Sequence, residues 1–176
     1  MGYRLGEVLY SREEIRGRVK SLALEISNHY RDEKPIMLPI LTGSFIFVAD
    51  LVRELDWSPQ VEFLRASSYN DEIQTSGKVT ISGLDTINIQ NKRVLVVEDI
   101  VDTALSITSV IDLLKEKNPK SIKVVTLLDK HERRKVPFKP DFVGFDVPNK
   151  FIVGYGLDYA QQYRGLPDIW SVEEVR

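Results

Sequence analysis

The stretch RVLVVEDIVDTALSIT, Arg93 to Thr108, passes from an unbroken apolar run through three carboxylates, Glu98, Asp99 and Asp102, into a Thr/Ser-rich turn and then a helical repeat. An uninterrupted apolar run is the mark of a strand buried on both faces, as in a parallel sheet covered by helices. The strand is read as Val94–Val97. Ile107, Val110, Ile111 and Leu114 then share one helical face, Asn118-Pro119 stops the helix, and IKVVTLL (Ile122–Leu128) supplies a second apolar run. Strand, helix and strand make a βαβ unit, so the fold class is α/β.

The same unit recurs outward. Ser11 with Glu14 forms a capping box ahead of Ile15, Val19, Leu22 and Ile26, which predicts a helix from near Arg12. PIMLPIL (Pro35–Leu41) predicts a strand, Thr42-Gly43-Ser44 a tight loop, and Phe45, Val48, Ala49, Val52 and Leu55 the next helix. VEFLRA (Val61–Ala66) reads as one further strand. From Ser67 to about Asn91 the chain is polar, at best a short β-ribbon, and far longer than the ~4–6 residues of a usual connection, which points to a lid or arm. DFVGFDV and FIVGYGL predict edge strands, and Asp168-Ile169-Trp170 packs the end of the chain. No repeat or linker-like shift divides residues 1–176, so one domain is expected: a mostly parallel twisted sheet with helices on both faces. Each strand ends in polar chemistry, Leu41 at Thr42-Gly43-Ser44, Val97 at Glu98-Asp99 and Leu128 at Asp129-Lys130. Ligands bind beyond the carboxyl ends of such strands, so the site is expected along that edge.

Composition narrows the chemistry. With 43% hydrophobic residues the chain buries a core. A net charge of −2 and a pI near 5.8 offer no general attraction to nucleic acid or to an anionic membrane. The absence of cysteine excludes disulfides, iron–sulfur clusters and thiolate zinc sites, and His29 and His131 are the only imidazoles. Any metal is therefore expected to be hard and oxygen-bound. No stretch approaches the ~20 apolar residues of a membrane span. The start MGYRLGEVLYSREEI lacks a signal-peptide core and VEEVR lacks a peroxisomal address, which together suggest a cytoplasmic protein.

Asp102–Thr108 opens a helix, where free N–H groups and the helix dipole hold anions and Thr103 and Ser106 add hydroxyls. That describes a phosphate seat, and equally a plain N-cap made by Asp102 or Thr103. The segment lacks the lysine of a GxxxxGK[ST] loop, and GYG around Tyr155 lacks the third glycine of a dinucleotide fingerprint. Glu98-Asp99 is either a solvated strand end or part of the same site. Beside a phosphate, carboxylates repel unless they face hydroxyls, a metal or developing positive charge. A ribose phosphate offers hydroxyls, and substitution at its anomeric carbon builds oxocarbenium-like charge that anions stabilise.

VEDIVDT resembles the phosphoribosyl pyrophosphate motif of type I phosphoribosyltransferases, the hypoxanthine-guanine branch in particular. LTGSFIFVADL, RASSYN, LLDKHERR, PDFVGFDVPNKFIVGYGLDY and YRGLPDI accompany it in that family's order. The resemblance implies the type I phosphoribosyltransferase fold, with a small purine-binding hood from the terminal segments, including about 149–170, and a long flexible loop at about 67–91. It implies transfer of the 5-phosphoribosyl group from phosphoribosyl pyrophosphate to hypoxanthine, and to guanine, giving IMP or GMP and pyrophosphate. Glu98 and Asp99 would hold the ribose hydroxyls, and Asp102, also part of the phosphoribosyl-binding motif, would sit beside the purine imidazole nitrogen as general base or proton partner. Thr103, Ala104, Leu105 and Ser106 would cradle the 5′-phosphate. Lys130 would donate to the 6-oxo group, Phe151 stack on the base, and Ile152 read its edge through backbone groups near Asp158. Asp158 would bind Mg²⁺, directly or through water, with Glu98 and Asp99 as further metal-site residues. Thr42, Gly43 and Arg164 would take pyrophosphate, helped by Ser68 and Tyr69 of the closing loop. A cis Leu41-Thr42 peptide and a homodimer or homotetramer belong to the same implication.

Two departures stand out. Many relatives read Asp-Thr-Gly-Lys-Thr where this chain has Asp102-Thr103-Ala104-Leu105-Ser106, so a cation is lost at Leu105, and Ala104 permits close backbone approach if its φ is negative. Thr42 stands where many relatives have lysine. Neither His29 nor His131 matches a functional position. Two other readings share the fold: an RNA-binding regulator, which needs a basic groove, and a catalytically idle subunit.

Overall fold

Parallel pairing is what the apolar runs predict, and the computed structural model, which describes residues 2–68 and 79–175, has it. The elements are β1 (Gly2–Tyr10), α1 (Arg12–His29), β2 (Ile36–Leu41), α2 (Phe45–Glu54), β3 (Gln60–Val61), β4 (Leu64–Ser68), β5 (Val79–Ser82), β6 (Arg93–Val101), α3 (Leu105–Lys115), β7 (Ser121–Asp129), β8 (Phe142–Asp146), β9 (Phe151–Val153) and β10 (Ile169–Val175). The main sheet has seven strands in the order β5-β4-β2-β6-β7-β8, with β3 also on β2. All its pairings are parallel except β4 with β5.

The two faces of β6 explain its unbroken apolar run. Leu95 and Val97 join the cluster built on Ile15, Leu22, Phe47 and Leu51 of α1 and α2. Val94 and Val96 join the cluster built on Ile107, Val110 and Leu114 of α3. Successive side chains of a strand point to opposite faces, so a strand covered on both sides has no polar alternate. The capping box also forms: Glu14 N–H donates to Ser11 Oγ at 3.3 Å while Glu14 Oε2 accepts from Ser11 N at 2.8 Å, an arrangement worth roughly 1 kcal/mol.

Several sequence expectations are corrected. Strand β6 does not stop at Val97; its ladder with β7 continues through Glu98↔Thr126, Ile100↔Leu128 and Val101↔Asp129. The acidic pair thus lies within the strand. VEFLRA is two short strands, because Gln60–Val61 and Leu64–Ser68 pair with different parts of β2. The short β-ribbon is present, Ser68 pairing with Val79 and Arg65 with Ser82. Residues 69–78, the middle of the expected lid, lie outside the described residues; after the ribbon, Leu84, Ile87 and Ile89 are buried in the α3-side cluster. Their spacing follows a 3₁₀ turn at Leu84–Thr86, a pattern that shows no strand or helix period.

DFVGFDV is the edge strand of the main sheet, but FIVGYGL is not. Its Phe151–Val153 pairs antiparallel with β10, which pairs with β1 in a separate three-stranded sheet. The N-terminal segment, unassigned from sequence, supplies that outer strand. Both ends of the chain therefore meet over the carboxyl ends of β6 and β7, where Lys150 Nζ is paired with Glu7.

Candidate active site

Between that small sheet and the ends of β6 and β7 lies a cleft of about 320 Å³, walled by Asp99, Asp102, Lys130, Arg133, Phe151, Ile152 and Asp158 among others. This is within the size range of small-molecule sites. A larger cavity of about 640 Å³ lies between α1, α2 and residues 165–167, and none of the sequence-predicted site residues lines it. The chemistry is concentrated in the smaller cleft, which is the candidate active site.

Asp102 follows β6 and points into the cleft. Its Oδ2 accepts from Arg133 Nη1 at 3.3 Å and lies 3.9 Å from Lys130 Nζ. Among the described residues its Oδ1 is buried with no hydrogen-bond partner. A buried carboxylate oxygen left unpaired is costly unless a ligand meets it. Lys130, at the end of β7, is 5% exposed, and its Nζ donates to the Lys150 carbonyl at 2.8 Å. Burial pushes its ammonium pKa down; Asp102 opposes that and Arg133 adds to it. Phe151 is 50% exposed, with Tyr159 edge-on at 5.4 Å, while Ile152 is buried in the β9–β10 ladder opposite Ser171. An exposed ring beside a buried main-chain strand is available for stacking.

Because Glu98 and Asp99 are neighbours in a strand, they face opposite sides of it. Asp99 lines the cleft, whereas Glu98 does not. Neither is a solvated strand end. Burial, reinforced by Asp99, holds the Glu98 carboxyl well above the usual range, and its Oε2 is buried without a partner among the described residues. Burial pushes Asp99 up to about 6, opposed by the hydrogen bond that Ile100 N–H donates to its Oδ1 at 2.8 Å and by Arg164. Asp158 raises it further.

The phosphate-seat reading and the N-cap reading now separate. Helix α3 starts at Leu105 with Ala104 in the cap position and no side-chain cap. Asp102 is not the cap, and Thr103 Oγ1 accepts only a long contact from Leu105 N at 3.4 Å. The N–H groups of the first turn keep their capacity for an anion. The condition set for Ala104, a negative φ, is not met: its φ is +66, left-handed, where the chain turns from Thr103 into the helix. Leu105 is exposed, as its apolar side chain points away from the core at the first helical position.

The Leu41-Thr42 peptide is cis. Gly43 is pressed against Asp99: a Cβ there would overlap Asp99 Oδ2. Ser44 Oγ donates to Ile40 O at 2.6 Å, which ties the loop to the end of β2. Arg164 donates to Gly156 O at 2.8 Å and pairs with Asp158 Oδ1 at 2.9 Å, and Asp158 Oδ2 accepts from Gln161 N at 2.8 Å. Ser68 ends β4, and Tyr69 lies outside the described residues.

As for a metal, Asp158, Glu98 and Asp99 do not form a cage. Among the described residues no cluster of three or more His, Asp or Glu side chains is placed to hold a cation. The donors are nonetheless all oxygen, and Asp99 and Asp158 are close enough for one to raise the pKa of the other. That set fits a hard cation which takes most of its ligands from phosphates and water.

Two arginines were missed from sequence. Arg133 forms part of the cleft wall on Asp102. Arg134 Nη1 donates to Val101 O at 2.8 Å and Asp102 O at 2.5 Å, its Nε to Phe138 O at 3.3 Å, and its Nη2 pairs with Asp129. It therefore clamps the main chain that carries Asp102 to the strand that carries Lys130. The only signal was the basic run after Lys130, which reads equally as a solvated surface.

The sequence matches the phosphoribosyl transferase domain over residues 7–160. It is 47% identical over 169 residues to a hypoxanthine-guanine phosphoribosyltransferase of Aquifex aeolicus, covering 96% of this chain and 95% of that one. It is 43% identical over 169 residues to a hypoxanthine phosphoribosyltransferase of Escherichia coli, covering 94% of each. A crystal structure of a hypoxanthine-guanine phosphoribosyltransferase from Bacillus anthracis superposes with a TM-score of 0.87 at 42% identity, covering 96% of this chain and 99% of that one.

Proposed function

The chain belongs to the phosphoribosyl transferase family, and we infer from that membership that it is a purine salvage enzyme. It transfers the 5-phosphoribosyl group from phosphoribosyl pyrophosphate to a 6-oxopurine base, hypoxanthine and also guanine, and releases pyrophosphate. Its fold is the type I phosphoribosyltransferase fold. The observation that best supports the site assignment is the buried, unpartnered Oδ1 of Asp102, in one cleft with a buried lysine and an exposed phenylalanine ring.

The roles that the family resemblance implies are compatible with the local chemistry. Phe151 stacks on the purine. Lys130 directs one of its three N–H groups to the 6-oxo oxygen, away from or beside the Lys150 carbonyl it now meets. Asp102 keeps Arg133 on Oδ2 and accepts the imidazole N–H of the base on Oδ1. Thr103, Ala104, Leu105 and Ser106, with the start of α3, hold the 5′-phosphate. Asp99 accepts from a ribose hydroxyl, and Glu98, on the other side of β6, takes part through its unpaired oxygen. As the bond to pyrophosphate lengthens, the same carboxylates stabilise the sugar's positive charge. Thr42, Gly43 and Arg164 receive pyrophosphate, and Ser68 and Tyr69 close over it to exclude water.

Mg²⁺ would be held by Asp158, with Asp99 and Glu98 nearby and the substrate's oxygens completing the set; it supplies charge neutralisation of the leaving group. The RNA-binding alternative is not favoured, since Asp99, Asp102 and Asp158 make the cleft an acidic one as much as a basic one. A single domain, a cytoplasmic location and a homodimer or homotetramer complete this reading. Among the described residues no helix is long and apolar enough to cross a membrane.

A spectrophotometric assay with hypoxanthine, guanine, xanthine and adenine, with and without Mg²⁺, tests it. Hypoxanthine should turn over only with the metal, and adenine should not react. Failure to release pyrophosphate with any purine would mean a catalytically idle protein.

A further inference from the structure

Behind the pyrophosphate loop, Tyr155 sits in a stretch whose backbone is left-handed at three successive residues, Gly154, Tyr155 and Gly156, with φ of 98°, 50° and 104°. A bulky L-residue is disfavoured in that region relative to a right-handed conformation, so the contacts of its side chain have a strained backbone to offset. The ring is buried in the α1/α2-side core, and the hydroxyl donates to Asp50 Oδ2 at 2.6 Å. A short hydrogen bond to an ionised carboxylate is about twice as strong as a neutral one. Asp50 is in the middle of α2, the helix that begins just after Thr42-Gly43-Ser44, and its Oδ1 takes Arg53 at 2.9 Å.

The residue next to Tyr155 meets that same loop. Gly156 lies directly on the Gly43 carbonyl, where a Cβ would overlap the oxygen. Gly156 N–H donates to Arg164 O at 2.9 Å, and Arg164 Nη1 donates to Gly156 O at 2.8 Å. The segment that bears Asp158 and Arg164 therefore meets the unit formed by the Thr42–Gly43 loop and the helix α2 that follows it at two points: backbone on backbone at Gly43/Gly156, and side chain to helix at Tyr155/Asp50. Only the second has a directional bond.

We propose that the Tyr155–Asp50 hydrogen bond is a positioning device which holds the Thr42–Gly43 loop and the Asp158–Arg164 segment in register, setting the pyrophosphate subsite from behind without touching substrate. The inference rests on the functional reading above, in which those two segments receive the leaving group. Tyr155 and Asp50 are then positioning residues. Their loss acts on phosphoribosyl pyrophosphate and pyrophosphate, and leaves the purine end, built on Phe151 and Lys130, undisturbed. Burial and Asp50 push the Tyr155 hydroxyl pKa far up, so it remains a donor across the working range.

The test uses the full chain with Tyr155→Phe, Asp50→Ala, Asp50→Asn and the double variant Tyr155→Phe/Asp50→Ala. Wild-type transfer is measured first; its absence removes the functional reading itself and is distinct from every outcome below. With an active wild type, Tyr155→Phe should raise KM for phosphoribosyl pyrophosphate about tenfold, the size of one charge-assisted hydrogen bond, with KM for hypoxanthine changed less than about twofold. Asp50→Asn, which keeps an acceptor, should do less harm than Asp50→Ala, and the double variant should be no worse than the singles. Should Tyr155→Phe fold poorly, the Asp50 pair carries the comparison, because that side chain is part-exposed. An unchanged KM for phosphoribosyl pyrophosphate, an equal rise in both KM values, additive effects in the double variant, or a lowered thermal midpoint with both KM values intact overturns the proposal.

Discussion

Asp102 shows how one residue's two oxygens divide the work: Oδ2 is occupied by Arg133, and Oδ1 is buried and unmet. Replacing Asp102 by Asn keeps the shape and removes the proton acceptor. The expected result is a fall in kcat of about 10²-fold or more with a much smaller change in KM for phosphoribosyl pyrophosphate; equal damage to both in steady-state kinetics would remove the proton role. Gly43 is decided by space rather than charge. Gly43→Ala would drive a methyl into the Asp99 carboxylate, so KM for phosphoribosyl pyrophosphate should rise at least about tenfold, as for the loss of a charge-assisted contact. Wild-type-like kinetics in that variant would show that Asp99 moves freely. The acidic pair also predicts a pH dependence of stability. Burial raises both carboxyls, Asp99 from 3.8 to about 6, so the folded chain binds more protons than the unfolded chain across that interval. The unfolding free energy of the metal-free protein should therefore fall as pH rises from about 4 to about 6, measured by denaturant titration in chelator. A contribution of the opposite sign, isolated by comparison with Asp99→Asn, would contradict the burial of these groups.

At the scale of elements, the sheet period and the loop after β6 explain why the site needs Arg134. The chain leaves β6 at Val101, reverses through a left-handed Ala104, and enters α3 without a side-chain cap. Such a loop has little of its own to hold it. Arg134 supplies the hold, through the Val101 and Asp102 carbonyls and the pair with Asp129. Arg134→Met leaves the buried Asp129 carboxylate without its cation and removes a donor from the Asp102 carbonyl, while Val101 O keeps Lys130 N–H at 2.9 Å; the loss should destabilise by about 3 kcal/mol or more. Arg134→Lys should not rescue it, since an ammonium lacks the planar fork that reaches several acceptors at once. A thermal midpoint within a degree or two of wild type in either variant would show the clamp to be dispensable.

For the whole molecule, the important fact is that the chain's two ends build one sheet over the cleft. Strand β1 pairs with β10, and β10 with β9, which carries Phe151 and Ile152. Removing residues 1–9 would leave β10 unpaired on one edge while the main sheet, the α3 loop and the pyrophosphate loop kept their contacts. The truncated protein should lose hypoxanthine affinity, seen as a raised KM, well before it loses affinity for phosphoribosyl pyrophosphate. Loss of both together, with an unfolded circular dichroism spectrum, would mean that the small sheet is needed for the core instead.

The sequence alone was sufficient for whatever depends on local order. Unbroken apolar runs and 3.6-period apolar patterns specified the βαβ frame, and Ser11 with Glu14 specified the capping box that starts α1. VEDIVDT with its companion motifs specified the family, because their residues lie together along the chain. Contacts between distant segments were decided only in three dimensions: the continuation of β6 past Glu98, the burial of Leu84, Ile87 and Ile89, the recruitment of Gly2–Tyr10 into the small sheet, and the roles of Arg133, Arg134 and Tyr155. Each of these depends on what another element presents to the residue. Hydrogen bonds and burial are satisfied by whatever partner the fold brings near, and a one-dimensional pattern carries no record of that partner.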